Sequence, residues 1–390
     1  MAVFGIIAEY NPFHNGHFYQ INKIKQSGDH TVVVAMSPDV VQRGDFALLS
    51  KFTRAKAALS CGADLVIEIP SVYALCTAEK FAYGAVKTLD ALGCVDFLCF
   101  GSESSDLDAL SEAACLLDDK MVDAEIKKEL SDGKSYASAR QNAVKKISKR
   151  AADCLENPND ILAVEYIKSL KKLNSNIKPY PILRKGVNHD SDISEDDFAS
   201  ASYLRENLEN LQNFVPQEAF DIYKTAFDNG EKSGGLKELE LSLILKLRTM
   251  TLEQIKALFD VSEGLENRIK RAANESTNLE ELCKKIKSKR YTMSRIRRIL
   301  MYALLDIDCN AVGSEIDFIR VLGHNKKGLS VISKKNAKIP VITSLKRAEK
   351  ISENAKKRID TDEKISAAYS LTLEDKKSAK NEFSTPVIRV

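Results

Sequence analysis

Two histidines, His14 and His17, bracket Asn15-Gly16 directly after an apolar opening run, Val3-Phe4-Gly5-Ile6-Ile7-Ala8. Imidazoles three residues apart at a helix start share one face, and both can donate hydrogen bonds to phosphate oxygens. Backbone N–H groups and the positive end of the helix dipole favour an anion at the same place. Gly16 has no Cβ and would let a flat base or a phosphate approach the backbone. Donors arranged in this way stabilise the charge that develops when the α-phosphate of a nucleotide is attacked. Far downstream, Ser200-Ala201-Ser202-Tyr203-Leu204-Arg205 places a hydroxyl or N-cap at Ser202 and, one turn on, the guanidinium fork of Arg205, suited to β- and γ-phosphates. The competing interpretation is that the two histidines only cap a helix and pack locally. Their place in the fold separates the two.

The elements that must position these residues alternate. Strand-like runs at Val3–Tyr10, Thr31–Met36, Ala63–Ile69 and Asp96–Gly101 are separated by helical segments from about Phe18, at Lys51–Cys61 and at Thr77–Leu92. The strands read as continuous apolar runs, as a parallel sheet covered on both faces requires, so the pattern predicts an α/β, doubly wound, Rossmann-like sheet with right-handed crossovers. The junction between the first strand and first helix is where such a sheet binds ligands. Helices follow at about Leu107–Leu117, Asp123–Glu129, Tyr136–Arg150 and Ile161–Lys172, then a strand at Tyr180–Leu183, completing a first domain over 1–214. From Val215 to about Leu305 the periodicity is helical, broken near Gly230, Gly234-Gly235 and Gly264, which predicts a helical region over 215–310. Runs at Phe318–Leu322 and Ile339–Thr343 predict a small α/β lobe over 311–390.

At 390 residues the chain exceeds what one hydrophobic core usually supports. Its apolar runs are too short to span a bilayer, and Met1 leads into a strand-like run without a basic leader, so the expected compartment is the cytoplasm. Eight cysteines without a C-x-x-C pair and five histidines show no metal-ligand spacing and read as reduced, mostly buried thiols. The net charge of +3 is modest, but Lys284, Lys285, Lys287, Lys289, Arg290, Arg295, Arg297 and Arg298 fall in one stretch without an acidic residue. Such a run suits an RNA backbone, with Tyr291 available to stack on an unpaired base, or it is simply a solvated helix face. Gln42-Arg43-Gly44 lies on the ligand-binding edge, and Arg43 is open between a ligand contact and a solvated side chain. Lys51 and Arg54, in the same region, are expected to be solvated.

The H-x-G-H arrangement at strand one resembles the signature of the nucleotidylyltransferase superfamily, and Ser202 with Arg205 resembles its late Ser/Thr-x-x-Arg element. A longer set is similar to the bacterial tRNA(Met) cytidine acetate ligase family: Ile7 through His17, Gln42-Arg43-Gly44 with Ser50-Lys51, Phe100-Gly101-Ser102-Glu103, Pro158-Asn159-Asp160-Ile161-Leu162, Arg184-Lys185-Gly186, His189-Asp190, Ser200-Ala201-Ser202, Arg320-Val321-Leu322-Gly323 and Thr385-Pro386. The resemblance spans nearly the whole chain. It implies that acetate and ATP give acetyl-adenylate, whose acetyl group is moved to N4 of the wobble cytidine of elongator tRNA(Met), with Mg²⁺ accompanying ATP. His14, His17 and Arg205 would be catalytic. ATP contacts would fall on Ile7, Ala8, Glu9, Tyr10, Asn11, Pro12, Phe13, His14, Asn15, Gly16, His17, Phe18, Tyr19 and Gln20, and on Gly101, Asn159, Arg184 and Lys185. Gly101 would leave room for the nucleoside, Asn159 would offer an amide to base or ribose, and Arg184 and Lys185 would bring charge to the phosphates.

The chain departs from the family pattern at Ser37-Pro38-Asp39, at Asp160 where a second Asn is expected, and at Asn188 where an aromatic is expected before His189-Asp190. His189 reads equally as a surface-loop residue. Two other functions fit parts of the pattern. A small-molecule nucleotidylyltransferase would commonly be much shorter and needs no basic helical region. A non-catalytic nucleotide or RNA sensor would not need both histidines beside Arg205.

Overall fold

The computed structural model describes residues 1–185, 198–262, 264–307, 315–333, 336–379 and 381–390. Its strands are β1 (Val3–Ala8), β2 (Thr31–Met36), β3 (Val40–Val41), β4 (Asp45–Phe46), β5 (Leu65–Glu68), β6 (Phe97–Ser102), β7 (Lys178–Leu183), β8 (Ile319–His324), β9 (Val341–Ile342) and β10 (Ile388–Arg389). The main sheet runs β10-β8-β5-β2-β1-β6-β7, with β9 on β8, while β3 and β4 form a separate hairpin. From β5 to β7 every pairing is parallel, as the α/β reading requires. The strand order reverses at β1, between β2 and β6, and this switch opens a crevice beyond the carboxyl ends of β1 and β6.

Period-two alternation accounts for the burial of both faces. Val32, Val34 and Met36 of β2 enter one core cluster with Ile21, Ile24, Ala55, Ala58, Ala219 and Tyr223 from the helices on that side. Val33 and Ala35 point the other way and join Ala82, Leu89, Val164 and Ile167. This second cluster continues without a break into Leu243, Leu247, Ile269 and Tyr302, so the helical region shares a core with the sheet. The strands expected to build a C-terminal lobe also belong to the main sheet. β8 pairs antiparallel with β5, placing His324 opposite Leu65, and β10 adds at the edge.

The expectation that Lys51 and Arg54 are solvated is corrected: they are 2% and 0% exposed. Both lie on the helix Lys51–Ser60, which is capped by Ser50. The Lys51 ammonium meets Glu68 at 2.7 Å and Glu382 at 2.5 Å, and Arg320 pairs with the same two carboxylates. Arg54 donates to the carbonyls of Leu49, Glu9, Ser37 and Pro38, tying the loop after β1 to the loop after β2. Charge type alone suggested solvent because Glu382, a partner of Lys51, lies 331 positions away.

Candidate active site

The helix Asn15–Gln26 follows β1 after a short loop and is N-capped by His14, so it starts earlier than the position near Phe18 that the sequence suggested. His14 Nδ1 accepts from the Gly16 N–H at 3.1 Å, and His17 Nδ1 accepts from the His14 N–H at 3.2 Å. The pair therefore does form a capping box, the local role that was the competing interpretation. That role has a chemical consequence. A neutral imidazole whose Nδ1 accepts must carry its proton on Nε2, so each ring has an N–H left to donate to a ligand. Burial, aided by Arg184 and Arg205, pushes the His14 imidazole from its ordinary 6.5 down to about 3. Burial, then His14 and Arg184, also holds His17 well below its ordinary range. Both rings are neutral donors at pH 7, with centroids 3.8 Å apart.

A cationic rim surrounds them. Arg205, on the helix Ala201–Glu206, reaches the Asn11 carbonyl at 2.7 Å and Ser202 Oγ at 3.0 Å, which engages two of the five N–H groups of its fork. Ser202 orients Arg205, whereas the cap of that helix is Ser200, which accepts from the Tyr203 N–H at 3.1 Å. On the opposite side, Arg184 follows β7 and lies over Gly101 at the end of β6. A Cβ on Gly101 would sit 3.1 Å from Arg184 Cγ. The small residue thus makes room for the Arg184 side chain. Gly16 is similar: a Cβ there would meet the His14 ring at 2.9 Å, so its bareness lets the histidine fold back as a cap.

Asn159 is held by Glu103 at 2.5 Å and accepts from Arg184 Nη1 at 3.3 Å. The departure at Asp160 has a defined role, because its buried carboxylate accepts from Ser102 Oγ and from the N–H groups of Glu103 and Ser104, shaping the loop after β6. Asp39 is buried and accepts from the Lys51 N–H, the first of that helix, at 2.7 Å. Ile7, Ala8 and Glu9 are half-buried at the strand end, as are Asn15, Phe18, Tyr19 and Gln20 along the first helix. Tyr10, Asn11, Pro12 and Phe13 are buried beneath the pair, and Asn11 also accepts from the Leu48 N–H at 2.8 Å. Gln20 donates to the Cys99 carbonyl at 3.1 Å, and the Lys185 ammonium lies over the Tyr19 ring. Asn188, His189 and Asp190 lie outside the described residues.

The basic stretch divides. Lys284 pairs with Glu280, Lys285 donates to the Glu275 carbonyl, and Lys287, Lys289 and Arg290 are exposed. Arg295 binds the Asp260 carbonyl, Arg297 pairs with Asp45 at 3.1 Å, and Arg298 is buried and donates to the Gln42 carbonyl. Tyr291 is buried with Arg295 over its ring, which removes it as a stacking platform for a base. Sequence reasoning missed Arg268 and Arg271, which join Lys289, Arg290 and Tyr291 around an open cleft of about 540 Å³. Their basic character in a helix preceding the charged run was the available signal.

The whole arrangement has counterparts. A family model described as HIGH Nucleotidyl Transferase matches residues 1–384. A protein named tRNA(Met) cytidine acetate ligase from Thermoanaerobacter sp. (strain X514) is 41% identical over the full length of both chains. One of the same name from Caldanaerobacter subterraneus subsp. tengcongensis is 38% identical, again over both full lengths. The crystal structure of Thermotoga maritima TmcAL in its apo form I superposes with a TM-score of 0.94 at 32% identity, covering both chains completely. The same protein bound with α-thio ATP superposes at 0.92 and 30% identity, also with full coverage. By this full-length agreement in sequence and fold, the chain belongs to the HIGH nucleotidyl transferase family, among the tRNA(Met) cytidine acetate ligases.

Proposed function

We propose that the protein is an ATP-dependent ligase that activates acetate as acetyl-adenylate and transfers the acetyl group to N4 of the wobble cytidine of elongator tRNA(Met), in the cytoplasm. The observation that supports it most is the neutral His14–His17 pair, whose Nδ1 atoms are engaged as caps, set between Arg184 and Arg205 at the switch point of the sheet. Neutral Nε2–H donors and guanidinium forks suit a triphosphate better than a sugar or an apolar ligand.

In the first half-reaction an acetate oxygen forms a bond to the α-phosphorus of ATP and the bond to the β-phosphate bridge breaks, releasing pyrophosphate. His14 and His17 donate to the oxygens where charge accumulates, and Arg205 with Arg184 offsets the charge of the leaving group. Lys185 adds charge beside Arg184, and Asn159 is placed for base or ribose. In the second, the cytidine N4 forms a bond to the acetyl carbonyl carbon, the carbon–oxygen bond to AMP breaks, and N4 loses a proton. Among the described residues no group of three or more His, Cys, Asp or Glu is placed to hold a metal. Mg²⁺ carried with ATP would offset the charge of its phosphates.

Residues 1–214 would carry adenylation, and 215–310 would receive the RNA at the cleft of Arg268, Arg271, Lys289 and Arg290, with Lys284, Lys285 and Lys287 adding charge nearby. The strands of 311–390 complete the sheet. Labelled acetate, ATP and elongator tRNA(Met) should yield N4-acetylcytidine on nuclease digestion; label that never enters the RNA would contradict the reading.

A further inference from the structure

The β3–β4 hairpin, whose turn is Gln42-Arg43-Gly44, links the loop after β1 to the helix Met293–Leu305. It is fixed from both sides. The Gln42 N–H donates to Glu9 at 2.7 Å, at the end of β1, and the Gln42 carbonyl accepts from Arg298 at 3.2 Å. Asp45 pairs with Arg297 at 3.1 Å and accepts from the Leu236 N–H at 2.7 Å. Gly44, at φ 80°, lies so close to the helix Met293–Leu305 that a Cβ would come within 2.4 Å of the Arg298 nitrogen.

With its flanks tied down, the turn presents an exposed Arg43 whose charge is felt at Arg205. The helix that braces it begins just after the loop Ser288–Tyr291, which lines the cleft. From Met293 to Arg297 the helix rises only about 6 Å, so the residue that pairs with Asp45 lies close to the loop that lines the cleft. Arg205 is half-buried beside the histidines, while Arg184 after β7 and Arg43 on the hairpin turn are exposed.

We propose that Arg43 grips the RNA phosphate beside the acceptor nucleotide, and that the rigid hairpin sets the distance between the RNA docked in the cleft and the acyl-adenylate. The inference rests on the function proposed above. A planar fork on a fixed turn holds a phosphate in register, which a mobile lysine would do less well.

The test uses the full-length protein and its Arg43→Ala and Arg43→Lys variants. Acetate-dependent ATP–pyrophosphate exchange reads the first half-reaction and reports an intact fold. Acetyl transfer at varied tRNA and salt concentrations reads the second. For Arg43→Ala we expect exchange within about twofold of the parent, KM for tRNA raised roughly tenfold, and a salt slope shallower by about 0.7–0.9, one phosphate contact. Arg43→Lys should recover part of the KM. An unchanged tRNA KM and salt slope would overturn the inference, and so would exchange falling as far as transfer, which would put Arg43 on the ATP. Failure of the parent protein to acetylate tRNA would instead count against the function itself.

Discussion

His14 should make the protein's stability depend on pH in a way that a non-titrating cap would not. Its folded pKa is about 3 against an ordinary 6.5, because burial first, and then Arg184 and Arg205, disfavour the imidazolium. Below 6.5 the unfolded chain takes up a proton at this position that the folded chain refuses. The stability contributed by neutral His14 is therefore fully present above 6.5 and is lost as pH falls, at about 1.4 kcal/mol per unit, until the folded ring titrates. At pH 5 the loss amounts to about 2 kcal/mol. His14→Asn keeps an oxygen able to accept from the Gly16 N–H but does not titrate. Urea unfolding of parent and variant, followed by circular dichroism near pH 7.5 and pH 5, reads the term, since groups that His14 does not touch cancel in the comparison. The parent should lose about 2 kcal/mol more than the variant on acidification. Equal losses would mean that His14 is free to protonate in the folded state, and the neutral-donor account would fail.

Three further substitutions probe separate parts of the site. His17→Ala should lower adenylate formation by about 10²–10³-fold through loss of a transition-state donor while leaving tRNA affinity near that of the parent; loss of both activities together would make the helix start purely structural. Gly101→Val should displace Arg184 and raise the KM for ATP by on the order of tenfold, about 1.4 kcal/mol, with the KM for tRNA unmoved, as steady-state kinetics would show. Lys51→Met leaves Glu68 and Glu382 buried without their shared ammonium and should destabilise the fold by about 3–5 kcal/mol in denaturant titration; a neutral result would mean that water reaches these carboxylates.

The catalytic half of the fold was readable because its strands are apolar throughout and its loops carry residues of unmistakable type. Thr31–Met36 was located to the residue, and the His14–His17 loop was placed at the correct junction. What was missed depends on long-range contacts. β8 could not be assigned to the main sheet from Phe318–Leu322 alone, since its antiparallel pairing with β5 joins positions more than two hundred residues apart. The β3–β4 hairpin was hidden in strands of two residues each. Lys51 and Arg54 look like solvated side chains until Glu68, Glu382 and four backbone carbonyls are brought around them. A second use of Gly16 was not legible for a related reason, because the group against its empty face is the neighbouring His14 ring.

The central claim is that this site joins a carboxylate to AMP, and ATP–pyrophosphate exchange by the purified protein, with and without acetate, tests it most directly. The account predicts exchange that requires acetate and disappears in His17→Ala. Exchange absent with acetate, both before and after tRNA is supplied, would contradict it.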